Sequence, residues 1–187
     1  MEKITIAVSG DEGSLSEEAA LVYAQKKGME PKILYSIDVE GVLNVLDNHG
    51  AELGIFPIVN SRGGVIHSSV EAMGRHNFKF LEDFSQNFKM SLMVKKHKSR
   101  EDIKKIASHP QAITQCENYI KREFKNVRLI YWDDTAKAAR DLSENVLTDD
   151  TAVIAPARCA VQYGLELIEK GIQDSSESSL TFIVVKK

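Results

Sequence analysis

Short apolar runs rich in β-formers alternate with longer stretches of helical spacing from one end of the chain to the other. The runs that read as strands are Ile4–Val8, Ile33–Tyr35, Leu53–Ile58, Met90–Val94, Lys104–Ala107, Val127–Tyr131, Ala152–Ala155 and Phe182–Val185. Strands separated by helix-length segments predict an α/β protein with largely parallel strands. Within most runs the hydrophobicity is continuous rather than alternating, the pattern of strands covered on both faces. The strand, capped helix, strand order before residue 75 recurs between about 90 and 157. Between these halves, RHNFKFLEDFSQNFK (Arg75–Lys89) is aromatic, polar and poorly periodic, and reads as a crossing between two lobes.

Three helix starts are marked. Ser14 with Glu17 forms a capping box ahead of Leu15, Ala19, Val22 and Tyr23, so GDEGSLSEEAA reads as strand, glycine-rich turn and capped helix. Ser108 with Gln111 repeats the device before the stripe Ile113, Cys116, Ile120 and Phe124, and Pro110 falls in the first turn, where its missing N–H costs nothing. Asp134 or Thr135 caps a third helix carrying Ala138, Leu142 and Val146. Each start follows a strand, at the carboxyl edge where open α/β sheets bind ligands.

Composition narrows the classes. A chain of 187 residues with 43% hydrophobic and 27% charged residues is that of an ordinary soluble globular protein. A net charge of -3 and a pI near 6.0 give no nucleic-acid footprint, and the one basic cluster, Lys95–Arg100, is short. No apolar run approaches the roughly 20 residues of a membrane span. Met1 leads directly into a strand pattern without a signal peptide, so a cytoplasmic location is expected. Cys116 and Cys159 lack C-x-x-C spacing and read as small buried apolar residues. The histidines (His49, His67, His76, His97, His109) never fall at ligand spacing, and no metal or cofactor is expected.

Two segments carry candidate chemistry. In FPIVNSRGGVIHSS, Gly63 and Gly64 allow a close backbone approach to a ligand, while Asn60 and Ser61 offer an amide and a hydroxyl. Such a turn suits a carboxylate or phosphate at the start of the following helix, and equally an ordinary turn with its own caps. In ASHPQAITQC, Ser108 and His109 sit at a helix start, with Gln115 one turn after Gln111 on the same side. GDEGSLS is a weaker anion site, because Asp11 and Glu12 repel an anion unless they face away. No P-loop, G-x-G-x-x-G or nucleophile motif is present.

Taken together these stretches resemble the prephenate dehydratase family, lyases that convert prephenate to phenylpyruvate in phenylalanine biosynthesis. The family's G-x-x-G-x-x-S-x-x-A is matched by Gly10, Gly13, Ser16 and Ala19. Its P-[IL]-E-N-S-x-x-G is matched by Pro57, Ile58, Asn60, Ser61 and Gly64. Its S-H-P-Q-A-x-x-Q-C is matched in full by Ser108, His109, Pro110, Gln111, Ala112, Gln115 and Cys116. Y-G-L and I-x-D follow at Tyr163, Gly164, Leu165, Ile172 and Asp174. The resemblance implies a two-lobed α/β fold like the type II periplasmic binding proteins, with mixed sheets flanked by helices. One catalytic domain is expected, in two lobes (residues 1–76 with 158–187, and 77–157), with a small dicarboxylate substrate in the interlobe cleft. It further implies a homo-oligomer acting on neither nucleic acid nor membrane. The chain ends at Lys187, directly after the last strand of the catalytic domain, so the family's regulatory domain is expected to be absent.

Substrate contacts are expected from Asn60, Ser61, Gly63, Gly64, Ser108, His109, Gln111, Gln115, Ser14, Ser16 and Phe182. Two positions depart from the family pattern. Val59 stands where the family has Glu, and Leu180-Thr181-Phe182 stands where it has Thr-Arg-Phe, whose Thr is regarded as central to catalysis. Prephenate aromatises by losing carbon dioxide and its ring hydroxyl together, so the enzyme mainly donates a proton or hydrogen bond to the departing oxygen. Thr181 or Ser178 is the expected substitute donor. Strand alternation points Thr181 away from Leu180 unless the strand slips or bulges. Three readings follow: a divergent dehydratase, a prephenate decarboxylase that does not aromatise the ring, and a non-catalytic binding protein for a carboxylated ligand.

Overall fold

A computed structural model describes residues 2–187, leaving Met1 outside. The chain divides into two compact units, residues up to Asn87 joined by Ser179–Lys187, and Phe88–Ser178. The first unit contains β1 (Glu2–Ser9), α1 (Leu15–Lys27), β2 (Met29–Ser36), α2 (Val39–Asp47), β3 (Leu53–Asn60), β4 (Gly64–Val65), α3 (His67–Met73) and β5 (Lys79–Asn87). The second contains β6 (Met90–Val94), β7 (Lys105–Ser108), α4 (Pro110–Gln115), α5 (Glu117–Glu123), β8 (Arg128–Tyr131), α6 (Thr135–Ser143), β9 (Thr151–Pro156), α7 (Arg158–Gln162) and β10 (Glu166–Lys170). The chain then returns to the first unit as β11 (Ser179–Lys186).

Each unit builds the same mixed sheet. In the first the order is β2-β1-β3-β11-β5, with β4 paired to β3. In the second it is β8-β7-β9-β6-β10. Both have a parallel three-strand heart, followed by two antiparallel strands. The repeat seen in the sequence is therefore real at the level of topology, while the expectation of largely parallel strands gives way to mixed sheets.

The units part at different residues from those expected. Lys79–Asn87 is a strand bonded to β11 from Ser179↔Asn87 to Lys186↔Lys79, which keeps it with the first unit. β10 pairs with β6, which keeps residues 166–170 with the second. Both strands carry charges on exposed positions, and this masked their period.

The cores are small-residue and aliphatic. In the first unit Ala7, Val42, Leu43, Leu46, Phe56, Ile183 and Val185 pack the α2 and α3 side of the sheet. In the second, Met93, Ala107, Ala138, Ala139, Leu142, Val153 and Ala155 pack under α6 and α7. β6 and β9 are buried at every residue, as their unbroken apolar runs imply.

Helix ends follow local chemistry. Ser14 caps α1, its Oγ accepting from Glu17 N, and Gly28 closes it in the left-handed region at φ 68°. Asp134, rather than Thr135, caps α6 by accepting from Lys137 N. The single helix expected after residue 108 is two, broken at Cys116. Asp174 makes the break possible: its carboxylate accepts from Asn118 N at 3.1 Å and Tyr119 N at 3.3 Å, capping α5 from another part of the chain. Gln173 beside it, 8% exposed, accepts from Met90 N and donates to the Phe88 carbonyl, so the entry to β6 is held by one side chain.

His76, with an 8% exposed side chain, lies between two carboxylates, Asp47 at 2.6 Å and Glu40 at 2.9 Å. Arg75 also pairs with Glu40, and Lys187 with Asp47. The hydrogen bonds from His76, to Asp47 first and Glu40 second, hold its pKa above the usual value despite burial. A folded-state pKa raised in this way adds stability at pH below the unfolded value, and that stability fades as pH rises through the raised value. The melting-temperature deficit of His76→Gln is therefore expected to be largest near about pH 6 and to shrink by about pH 9. Asp174→Ala is expected to cost about 0.5–2 kcal/mol in denaturant unfolding through the lost cap.

Candidate functional site

The carboxyl edge of the first unit's parallel strands gathers the expected polar residues. Gly10 and Gly13 take φ of 98° and 88°, which turns the chain sharply from β1 into α1. Gly13 N donates to Glu17 Oε2 at 2.6 Å, and the Tyr35 hydroxyl donates to Glu17 Oε1 at 3.1 Å. The carboxylate of Glu17, 7% exposed, thus occupies the start of α1, where an external anion would meet a like charge. Ser14 is spent as the cap, and Ser16 shares a 3.1 Å hydrogen bond with Ser9. Both serines are buried, which places them in the turn's framework rather than on an open surface.

Asn60 to Gly64 form a hairpin turn, not the strand-to-helix turn expected. β4 folds back on β3, with Asn60 opposite Gly64, and Gly64 takes φ 71°. Asn60, 2% exposed, spends its Oδ1 on Arg62 N at 3.0 Å and Gly63 N at 3.2 Å. The peptide N–H of Ser61 donates to the Ser179 carbonyl at 2.9 Å, and its Oγ accepts from Ser179 N at 3.0 Å. This hairpin is thereby fastened to the first residue of β11. α3 begins only at His67, without a side-chain cap, so no helix start lies at the glycines.

β11 decides which hydroxyl faces which way. Leu180 lies opposite Asn60 on β3 and Gln86 on β5, whereas Thr181 lies opposite Val59 and Ser85. Directly opposed residues share a face, so Leu180 belongs with Asn60, and Thr181 points the other way. The Thr181 hydroxyl pairs with Ser85 Oγ at 2.9 Å. A bulge does occur between Thr181 and Phe182, but the extra residue is Ile58 of β3, and β11 itself does not slip against β5 there. Ser178 is fully buried before the strand, its Oγ donating to the Ser175 carbonyl at 3.2 Å. Phe182, expected against substrate, is 1% exposed and stacks on Phe84 at 5.8 Å, as a core residue.

In the second unit the Ser-His-Pro-Gln segment leaves β7 for α4. Ser108 does not cap. It is the last residue of β7 and fully buried, its Oγ donating to the Ile154 carbonyl at 2.6 Å. His109 caps instead, Nδ1 accepting from Gln111 N at 3.3 Å, which leaves the ring proton of the neutral form on Nε2. Burial pushes its pKa below the usual histidine value, against the opposing pull of Asp134 and then Asp133. Gln111 is half-buried in the first turn. Gln115 is 6% exposed; its carbonyl accepts from Asp174 N at 2.8 Å, but its side-chain Nε2 is buried without an acceptor among the described residues. Cys116 is inert by environment, burial pushing its thiol up to about 12.

Asn60, Ser61, Gly63, Gly64 and Leu180 therefore gather at one edge in the first unit, and Ser108, His109 and Gln111 at the β7–α4 junction in the second, with Gln115 at the other end of α4. Ser178 and Thr181 join neither face. Gln86 and Gln173 were missed, and only strand pairing and the bonds at residues 88 and 90 mark them out. Among the described residues no cluster of His, Cys, Asp or Glu could hold a metal ion, and no helix is long and apolar enough to cross a membrane.

The fold is shared with solved proteins of two kinds. A prephenate dehydratase from Arthrobacter aurescens, in complex with L-Phe, superposes with a TM-score of 0.85 at 21% identity, covering 98% of this chain and 60% of that one. A Bacillus subtilis lipoprotein described as a candidate methionine-binding protein gives 0.54 at 15% identity, covering 100% and 84%. The two-lobed α/β class of the type II periplasmic binding proteins accounts for both. By sequence, arogenate dehydratase/prephenate dehydratase 6 of Arabidopsis thaliana is 34% identical over 137 residues, 73% of this chain and 33% of the relative, so the chain spans about a third of that protein. The family model described as prephenate dehydratase matches residues 6–187, running through the glycine turn, the hairpin, the Ser-His-Pro-Gln segment and the last strand. On that match, the chain belongs to the prephenate dehydratase family.

Proposed function

We propose that the chain is a lyase of prephenate-type ring dicarboxylates, converting prephenate to phenylpyruvate with loss of water and carbon dioxide. The family match over residues 6–187 carries this reading. The site residues support it unit by unit. In the second unit Gln115 offers a buried amide N–H with no internal acceptor, a group that an oxygen-rich ligand satisfies. His109, neutral and proton-bearing at Nε2, offers a second donor at the start of α4, the helix that Gln115 ends. In the first unit the Asn60 hairpin supplies a polar turn fixed by the bonds that Asn60 Oδ1 accepts from Arg62 N and Gly63 N.

One observation favours a second reading, ligand binding without aromatisation. Leu180 fills the position of the family Thr on the face of Asn60, and the Thr181 hydroxyl is bonded to Ser85 on the opposite face. On that face β11 presents Leu180 and no hydroxyl to a departing ring oxygen. Turnover would rely on the gain in aromaticity and on the amide donors.

Incubating the purified chain with prephenate at neutral pH, and following phenylpyruvate by its absorbance in base together with released carbon dioxide, separates the readings. Phenylpyruvate with carbon dioxide is the expected result. Carbon dioxide without phenylpyruvate identifies a decarboxylase, and neither product identifies a binding protein. Gln115→Leu is expected to lower kcat/KM by about 10²–10³. Thr181→Val is expected to leave kcat within about twofold, because its hydroxyl serves Ser85. Leu180→Thr is expected to raise kcat at nearly constant KM, and an unchanged kcat would exclude position 180 as the deficient donor.

A further inference from the structure

Among the described residues, three buried side-chain atoms have no hydrogen-bond partner: Gln86 Oε1, Ser91 Oγ and Gln115 Nε2. Ser91 is enclosed within β6, and Gln115 Nε2 is the donor already placed in the second unit's site. Gln86 is of the opposite kind. Its orphan atom is a carbonyl oxygen, which accepts and never donates.

Strand pairing fixes where Gln86 stands. β11 lies between β3 and β5, so Asn60, Leu180 and Gln86 form one cross-strand row and share a face. The neighbouring row on that face is Phe182 opposite Phe84, their rings stacked at 5.8 Å, which gives the three residues an apolar border. Within the row, Asn60 Oδ1 is held by Arg62 N and Gly63 N, and Leu180 has no polar side-chain atom. Gln86 Oε1 is therefore the acceptor that the row leaves unsatisfied. Its side chain is half-buried and rotates about three bonds, so the amide can turn toward a ligand lying on Leu180. A buried carbonyl without a donor is costly, and the apolar border strengthens the bond once a ligand supplies one.

We infer that Gln86 is a specificity-determining residue whose Oε1 accepts the ring-hydroxyl proton of the substrate, an assignment that rests on the ring-dicarboxylate ligand proposed above. At neutral pH such a ligand carries two ionised carboxylates and a keto group, all of them acceptors. The ring hydroxyl is its one donor. Only that group satisfies Gln86 Oε1, and it is present on the substrate whether the ring is aromatised or only decarboxylated. As the C–O bond breaks, its electron pair moves onto the oxygen and the hydroxyl proton becomes a weaker donor. The bond to Gln86 therefore strengthens binding and does not assist departure.

The test titrates the full chain, by calorimetry, with two compounds that cannot aromatise: prephenate with both ring double bonds reduced, and the same compound lacking the ring hydroxyl. The wild-type chain is expected to favour the hydroxylated compound about three- to tenfold. Gln86→Leu and Gln86→Met are expected to bind the two equally, with melting temperatures close to wild type because no internal bond is lost. With prephenate itself, Gln86→Met is expected to raise KM by a similar factor without lowering kcat. Equal wild-type affinity for the two compounds overturns the inference and leaves the dicarboxylate reading in place, and this comparison decides by itself if either variant fails to fold. A hydroxyl preference that persists in both variants also overturns it, as does a fall in kcat at constant KM, the signature of a donor to the departing oxygen. No binding of either compound up to about 10 mM overturns it as well, and if prephenate then yields no product the dicarboxylate reading falls with it.

Discussion

Everything in the first unit hangs on β11, a strand from the far end of the chain bonded along both edges, to β3 and to β5. Its alternation decides which side chains share a surface. Leu180, Phe182 and Val184 lie on one side, and Ser179, Thr181, Ile183 and Val185 on the other, where Ile183 and Val185 enter the core under α2 and α3. Both sides are buried from Phe182 to Val185, so a one-residue slip would swap side chains of different size between two packed faces, and packing holds Thr181 away from Asn60. The Ser61–Ser179 bonds lock the same register at its open end.

A second constraint is that buried polar groups must be satisfied. Most of the motif residues meet it internally: Asn60 by its own turn, Ser108 by the Ile154 carbonyl, Glu17 by Gly13 and Tyr35, Asp174 by α5. These side chains hold the segments in shape. Leaving a buried amide unpaired costs about 1–3 kcal/mol, which is why the open Nε2 of Gln115 stands out.

Much of this architecture is legible along the chain. The strands at 53–58, 90–94 and 152–155 are plain because strands buried on both faces leave no room for polar residues. Ser14 and Asp134 announce their helices because a cap is a local bond, made within three residues. β5 and β10 were hidden because edge strands carry charge on their open sides, as Glu82, Asp83 and Glu169 do. The break at Cys116 was hidden for a different reason, since the group that caps α5 comes from Asp174, far away in sequence.

The sequence by itself determined the buried strands, the capped helix starts, the internal repeat and the family, because period, capping and motif order are properties of neighbouring residues. Only the tertiary structure decided that the Asn60 turn is a hairpin, that His109 and not Ser108 caps α4, and that Leu180 rather than Thr181 stands beside Asn60. Those outcomes depend on cross-strand register and on bonds between residues as distant as Ser61 and Ser179, and no local pattern encodes which distant partner satisfies which group.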